Sequence, residues 1–243
     1  MTAPHPAHYR QSPQVIFCVQ GVISPLLANL LLHCAFDVWM ARHVPDVRFE
    51  RYADDAICHC ASEEQATTVW RALAERLAEC GLTLHPEKTR IVYGKDSERP
   101  GDDPCQTFDF LGDTFRPRWA KDRSGRCFVS FTPAASGKAL KRIRQTVRQR
   151  RLHRRSDKTR ADLARMFNAE IRGWIAYYSR YHRSAMFPTL QQIDRYLVRW
   201  ICGKYKRFRR HPRRARQWLV HVMRREPGLF AHWTLLRRRA TAG

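Results

Sequence analysis

The 243-residue sequence has eight cysteines but no Cys-x-x-Cys pair, and its single cluster, Cys58-His59-Cys60, has no second pair of ligands to complete a zinc site. On a strand, alternation would put Cys58 and Cys60 on one face and His59 on the other, which suits buried thiols better than a zinc site. No signal peptide is recognisable, so free thiols in a reducing cytoplasm are expected. No apolar run looks long enough to span a bilayer, and a membrane partner is therefore not expected. There is no internal repeat. Acidic residues are scarce in one half: residues 116–243 carry 35 Lys+Arg against 6 Asp+Glu, a net of +29, whereas residues 1–115 carry 10 against 16, a net of −6. The overall charge of +23 and pI near 10.6 call for a polyanionic partner, and the basic half is where it would sit.

What is present centres on residues 49–58, Phe-Glu-Arg-Tyr-Ala-Asp-Asp-Ala-Ile-Cys. The run reads as strand, tight turn, strand, with Asp54 and Asp55 at the apex. Adjacent like charges repel, and aspartate also suits plain surface turns, so both a turn and a site fit this pair. A hard divalent cation such as Mg²⁺ would relieve the repulsion, because such sites use one or two carboxylates together with substrate phosphates.

Around this hairpin the chain reads as α+β. Ser24-Pro25 is a helix start, with Ser as N-cap and Pro at the first helical position. That helix should run to about residue 42, with Leu26, Leu27, Leu30, Leu31, Ala35 and Trp39 turned inward. Residues 63–80 have a helical period with Ala66, Val69, Trp70, Leu73 and Leu77 on one face, Ser62 as cap and Gly81 as terminator. Residues 82–84 and 88–93 read as two short strands, 94–106 as a polar loop, and 108–115 as apolar segments around Gly112. A strand follows at 126–131, and Pro133 closes this mixed sheet-and-helix part of the chain.

The basic half reads as amphipathic helices at 134–151, 160–180 and 185–206. Their core should hold Ile143, Val147, Leu163, Phe167, Ile171, Trp174, Ile175, Tyr178, Ile193, Leu197 and Trp200. Tyr177 is left as a base-stacking candidate. The dense run 204–216, with Pro212 inside it, reads as a flexible phosphate-binding segment, and Trp218, Leu219 and Val222 as a last helix.

Tyr52-Ala53-Asp54-Asp55 resembles the Tyr-Ala-Asp-Asp signature of reverse transcriptases encoded by group II introns. Four more blocks are similar to that family and occur in its order: Gln20-Gly21-Val22-Ile23-Ser24-Pro25-Leu26-Leu27-Ala28-Asn29, Gly81-Leu82-Thr83-Leu84-His85-Pro86-Glu87-Lys88-Thr89, Phe108-Asp109-Phe110-Leu111-Gly112, and Arg172-Gly173-Trp174 with Tyr177-Tyr178. The first block is one residue shorter than the family's usual form.

The resemblance implies a poorly defined segment at 1–19, a partial reverse-transcriptase palm (antiparallel sheet with helices) at 20–132, and an all-α thumb/maturase bundle at 133–243. It implies RNA-directed DNA polymerase chemistry with two Mg²⁺ ions held in part by Asp54 and Asp55. Gln20, Tyr52, Ala53 and Lys88 would line the nucleotide and template path, Lys88 reading equally as a solvated lysine. Leu111 and Gly112 would belong to the primer grip, and Arg172, Tyr177, Lys204, Lys206, Arg207, Arg209 and Arg210 to an RNA-binding surface. Intron RNA, template RNA and a DNA primer are the implied partners. The family takes a further aspartate from an earlier palm strand, and Asp37 and Asp46 come too late to replace it. The metal site is thus expected to be incomplete, leaving a missing N-terminal half or a second subunit as a partner. A non-catalytic, maturase-like RNA-binding protein is the other reading.

Overall fold

The computed structural model describes residues 23–240 apart from 100, 102 and 123, so Gln20 lies outside the described residues. The chain forms two compact units that divide at Ile91 and Val92.

The first unit begins with α1 (Ile23–Leu32), which passes through a π-helical segment (His33–Asp37) into α2 (Val38–His43). A hairpin of β1 (Arg48–Tyr52) and β2 (Asp55–His59) follows, then α3 (Glu63–Glu79). Ser62 caps α3 by accepting from the Gln65 N–H at 3.1 Å, and Gly81, at φ +72°, lies just past its end, as the sequence predicts. The core of this unit joins Phe36 and Met40 to Val47, Val69 and Leu73, with Phe49 and Cys58 packed against it from the hairpin.

Two expectations for α1 and α3 need correction. Leu26, Leu27, Leu30 and Leu31 do not point into a core; all four are exposed, because no described element of this unit covers α1. Trp70 also lies at the surface, while Val69, Leu73 and Leu77 are buried. The expectation that no apolar run could span a bilayer is corrected as well. The stretch Ile23–His43 is long and apolar enough to cross a bilayer by length and composition, and little of it is buried. Its interruptions by Asn29, His33 and Asp37 hide that length in the sequence. The strands expected at 82–84 and 88–93 do not form; the Thr89 and Lys88 N–H groups instead bond to the His85 carbonyl in a turn.

The second unit opens with a three-stranded antiparallel sheet in the order β3 (Phe108–Phe110), β4 (Asp113–Lys121), β5 (Cys127–Ala135). β5 runs four residues past the strand end expected at 131, with Pro133 paired to Phe115. Helices α4 (Gly137–Gln149), α5 (Arg160–Tyr178), α6 (Phe187–Lys204), α7 (Pro212–Arg225) and α8 (Ala231–Ala240) complete the unit. Sequence and structure agree closely here. Ile143, Val147, Leu163, Phe167, Ile171, Ile193, Leu197 and Trp200 are buried, and Trp174, Ile175 and Tyr178 are half-buried against them.

Two short, well-placed caps explain where the first helices start. Ser136 accepts from the Ala139 N–H, and Thr159 and Asp162 form a reciprocal capping box at α5. Pro212 does not lie within a flexible run: it is the first residue of α7, where a missing N–H costs nothing.

The C-terminal segment is tied down by two polar side chains. Asn168 of α5 donates to the Leu229 carbonyl and accepts from the Ala231 N–H, both at 2.9 Å. Asp194 of α6 accepts from His232 Nε2 and Trp233 Nε1, again at 2.9 Å. His232 and Trp233 are fully buried, which makes residues 229–233 an anchor of the bundle.

Candidate active-site hairpin and nucleic-acid surface

β1 and β2 pair so that Tyr52 faces Asp55, leaving Ala53-Asp54 as a two-residue turn. Asp54 therefore occupies the turn, and Asp55 begins the second strand. Both carboxylates are exposed, as are Tyr52 and Ala53, so the four residues form one accessible tip. Ala53 has φ +54°, a left-handed conformation disfavoured for residues with a Cβ. The strand behind the tip is less buried than its apolar sequence suggests: Ala56 is exposed, and Ile57 and Cys58 are half-buried in this two-stranded ribbon. Burial, with Cys60 and Glu50 nearby, pushes the Cys58 thiol up to about 11, as befits a packing group.

The turn is braced from beneath. Arg51 donates from Nη1 to the Ala53 carbonyl at 2.8 Å, and its Nε and Nη2 donate to the two carboxylate oxygens of Asp37, each at 2.7 Å. Nη1 also reaches the Asn29 side-chain oxygen at 3.1 Å. Sequence reasoning passes over this pair, treating Arg51 as a strand residue and Asp37 only as a poor substitute for a missing palm aspartate. Asp37 is the first carboxylate in these 243 residues, and it is engaged by a guanidinium. Among the described residues, no group of three or more Asp, Glu, His or Cys comes together. Asp54 and Asp55 are thus a pair of hard oxygen donors open to solvent. That donor set fits Mg²⁺, an ion that keeps several waters and uses few carboxylates, only as part of a larger site.

A second two-residue hairpin tip lies in the other unit, and its first turn residue also has a positive φ. Phe110 pairs with Asp113, so Leu111-Gly112 is a two-residue turn with φ +50° and +84°, both positive as a type I′ turn requires. Here too a side chain holds the carbonyl of the strained residue, Tyr177 Oη donating to the Leu111 oxygen at 2.7 Å. Tyr178 lies beside Gly112, its hydroxyl oxygen 3.2 Å from where a Cβ would stand, so two features call for glycine. The structure therefore brings together Leu111, Gly112 and Tyr177, residues the sequence suggests in separate roles. Tyr177 is still half-exposed, with its hydroxyl committed to the turn.

The basic residues divide into clasps and surface cations. Lys204, expected on the RNA-binding surface, is partly buried and donates Nζ to the carbonyls of Ser156 and Lys158 at 2.8 and 2.7 Å. It closes the 155–158 loop onto α6, and Trp200 Nε1 holds the Arg155 carbonyl of the same loop. Lys206, Arg207, Arg209 and Arg210 are exposed along and just after a 3-10 turn (Lys206–Phe208), with Arg207 stacked on the Phe208 ring. Arg172 is exposed on α5. Lys88 is exposed in the 85–89 turn of the first unit.

The comparisons follow the two halves of the chain. The family model for reverse transcriptase (RNA-dependent DNA polymerase) matches residues 6–115, and that for the group II intron maturase-specific domain matches residues 140–218. No curated protein matches the chain. A partial palm of sheet and helices is thus joined to a maturase-type helical region. The chain belongs to the group II intron reverse transcriptase/maturases. That family is RNA-directed DNA polymerase by ancestry, generally uses Mg²⁺, and works on RNA and DNA.

Proposed function

We propose that this chain is the RNA-gripping and carboxylate-presenting part of a group II intron reverse transcriptase, acting in the cytoplasm on intron or template RNA and a DNA primer. The observation that carries the reading is the division of charge: a net +29 over residues 116–243, most of it on helices, and a net −6 over residues 1–115, which expose two adjacent aspartates at one hairpin tip. Lys206, Arg207, Arg209, Arg210 and Arg172 would neutralise backbone phosphates, and Tyr177 and the Leu111-Gly112 turn would lie against the primer. Tyr52, Ala53 and Lys88 would face the template and incoming nucleotide.

Asp54 and Asp55 would hold Mg²⁺. When bound, the ion supplies charge neutralisation for the primer oxygen and the departing pyrophosphate. The two aspartates would orient it, and a further carboxylate, from a missing N-terminal half or a second subunit, would complete the site, since Asp37 is engaged by Arg51. Among the described residues, Leu26, Leu27, Leu30 and Leu31 of α1 are exposed, an apolar face that such a partner or segment would cover.

A non-catalytic maturase-like function is the second reading, and the absence of a third carboxylate near Asp54 and Asp55 among the described residues favours it. Both readings require RNA binding. The test is titration of the whole chain with a structured RNA across salt concentrations. Each neutralised phosphate steepens the fall of log affinity with log salt by about 0.7–0.9, so several such pairings should give a slope steeper than about −4. Replacing Lys206, Arg207, Arg209 and Arg210 with alanine should flatten it by about one for each phosphate-binding cation removed. Salt-insensitive binding would contradict the reading.

A further inference from the structure

The arrangement of Arg51 goes beyond what an ion pair on a hairpin requires. One guanidinium joins three chain segments: Asn29 in α1, Asp37 at the end of the π-helical segment, and the carbonyl of Ala53 in the turn that carries Asp54. Its side chain is only 12% exposed although it belongs to an exposed ribbon. The contact with Asp37 is a parallel two-bond fork, a geometry that lysine cannot supply. The third contact falls on the residue with positive φ, the conformation least able to persist without support. The π-helical segment changes the helical register between α1, none of whose residues is buried, and packed α2, and Asp37 lies where that change ends. Wide turns of this kind recur at functional sites.

We propose that Arg51 and Asp37 are positioning residues, a clasp that holds the Ala53-Asp54 turn in its strained form so that the Asp54 and Asp55 carboxylates are presented in one fixed arrangement to a divalent cation. The cation half of this statement rests on the metal reading of Asp54 and Asp55 given above; the clasp half does not. The apolar core beneath the hairpin, centred on Phe36, Met40, Val69 and Leu73, fixes where the ribbon sits. It makes no bond to the turn itself, and that bond is Arg51's.

The test uses the full chain, with Mn²⁺ as a paramagnetic probe and amide hydrogen exchange as a metal-free readout. Arg51→Lys keeps the charge and removes the fork; Asp37→Asn keeps the shape and removes the charge; Asp37→Glu keeps the charge on a longer arm. Loss of charge-assisted bonds should raise exchange of residues 52–56 by about tenfold or more in Arg51→Lys and Asp37→Asn, and by less in Asp37→Glu. Exchange in α3 and the helical unit should stay as in the wild type, and Mn²⁺ affinity should fall several-fold in the same two variants. Hairpin exchange equal to the wild type would overturn the clasp, as would faster exchange spread evenly over α3, which marks a general loss of stability. If the wild type itself shows no Mn²⁺ binding that Asp54→Asn abolishes, the metal reading fails, and exchange in the turn still decides the clasp.

Discussion

Arg51 and Lys204 are both cations that a sequence places on a surface and the structure turns inward. The sequence shows a strand Arg before an acidic apex and a Lys inside a basic run, and each type is usually solvated. What decides their role is which carbonyls and carboxylates the chain brings back to them from 14 and 46–48 residues away, which no local pattern encodes. Asp54 and Asp55, by contrast, are legible, because a paired-carboxylate turn between short β-rich runs is itself a local pattern. At Asp37 the Arg51 hydrogen bond outweighs burial and, with a smaller contribution from the exposed His33, holds the carboxyl below the ordinary carboxylate range. A depressed carboxyl contributes stability that is complete above its unfolded value of about 3.9 and is lost as pH falls through its lower folded value. Exchange protection at Ala53, Asp54 and Asp55 should therefore be the same at pH 7 and pH 5 and disappear only below about pH 4. Protection already lost at pH 5 would show that the Asp37 carboxylate does not hold the turn.

At the scale of elements, the helices of the second unit are legible nearly to their ends, since apolar spacing and caps such as Ser136 and Thr159 act over one or two turns. α1 departs from expectation for a physical reason: four leucines on a helix ask for burial, but only a neighbouring element can provide it, and none among the described residues of this unit does. The strands expected at 82–84 and 88–93 also depend on a partner, and alternation alone does not supply the pairing: those residues form no strand. The β3–β4 turn offers a direct test of how a strained element is held. Tyr177→Phe removes the bond to the Leu111 carbonyl and should cost about 0.5–1.5 kcal/mol. Gly112→Ala forces a Cβ into positive φ against the Tyr178 hydroxyl and should cost about 1–2 kcal/mol. Thermal or denaturant unfolding of the two variants measures both, and a neutral Gly112→Ala would contradict the geometry described for that turn.

For the whole molecule, the boundary between compact units at Ile91 and Val92 assigns the β3–β5 sheet to the helical unit, whereas the pattern of strands followed by helices suggests a break near residue 133. The sheet belongs with the helices because its turn is bonded to α5 through Tyr177 and continues through Ser136 into α4. Charge is the most legible property at this scale, and it carries the RNA-binding reading. Catalysis depends on something else, a set of carboxylates sufficient to clamp both attacking and leaving oxygens, and among the described residues no third carboxylate joins Asp54 and Asp55. Positioning of reacting groups accounts for up to about 7–11 kcal/mol of a barrier, and each ~1.4 kcal/mol lost is tenfold in rate, so a site with only Asp54 and Asp55 is expected to give no measurable turnover. The deciding measurement is primer extension on an RNA template by the purified chain in Mg²⁺, beside its Asp54→Asn variant. The account predicts no extended product from either protein in preparations that bind the same RNA tightly; Mg²⁺-dependent extension by the unaltered chain that vanishes in Asp54→Asn would contradict it.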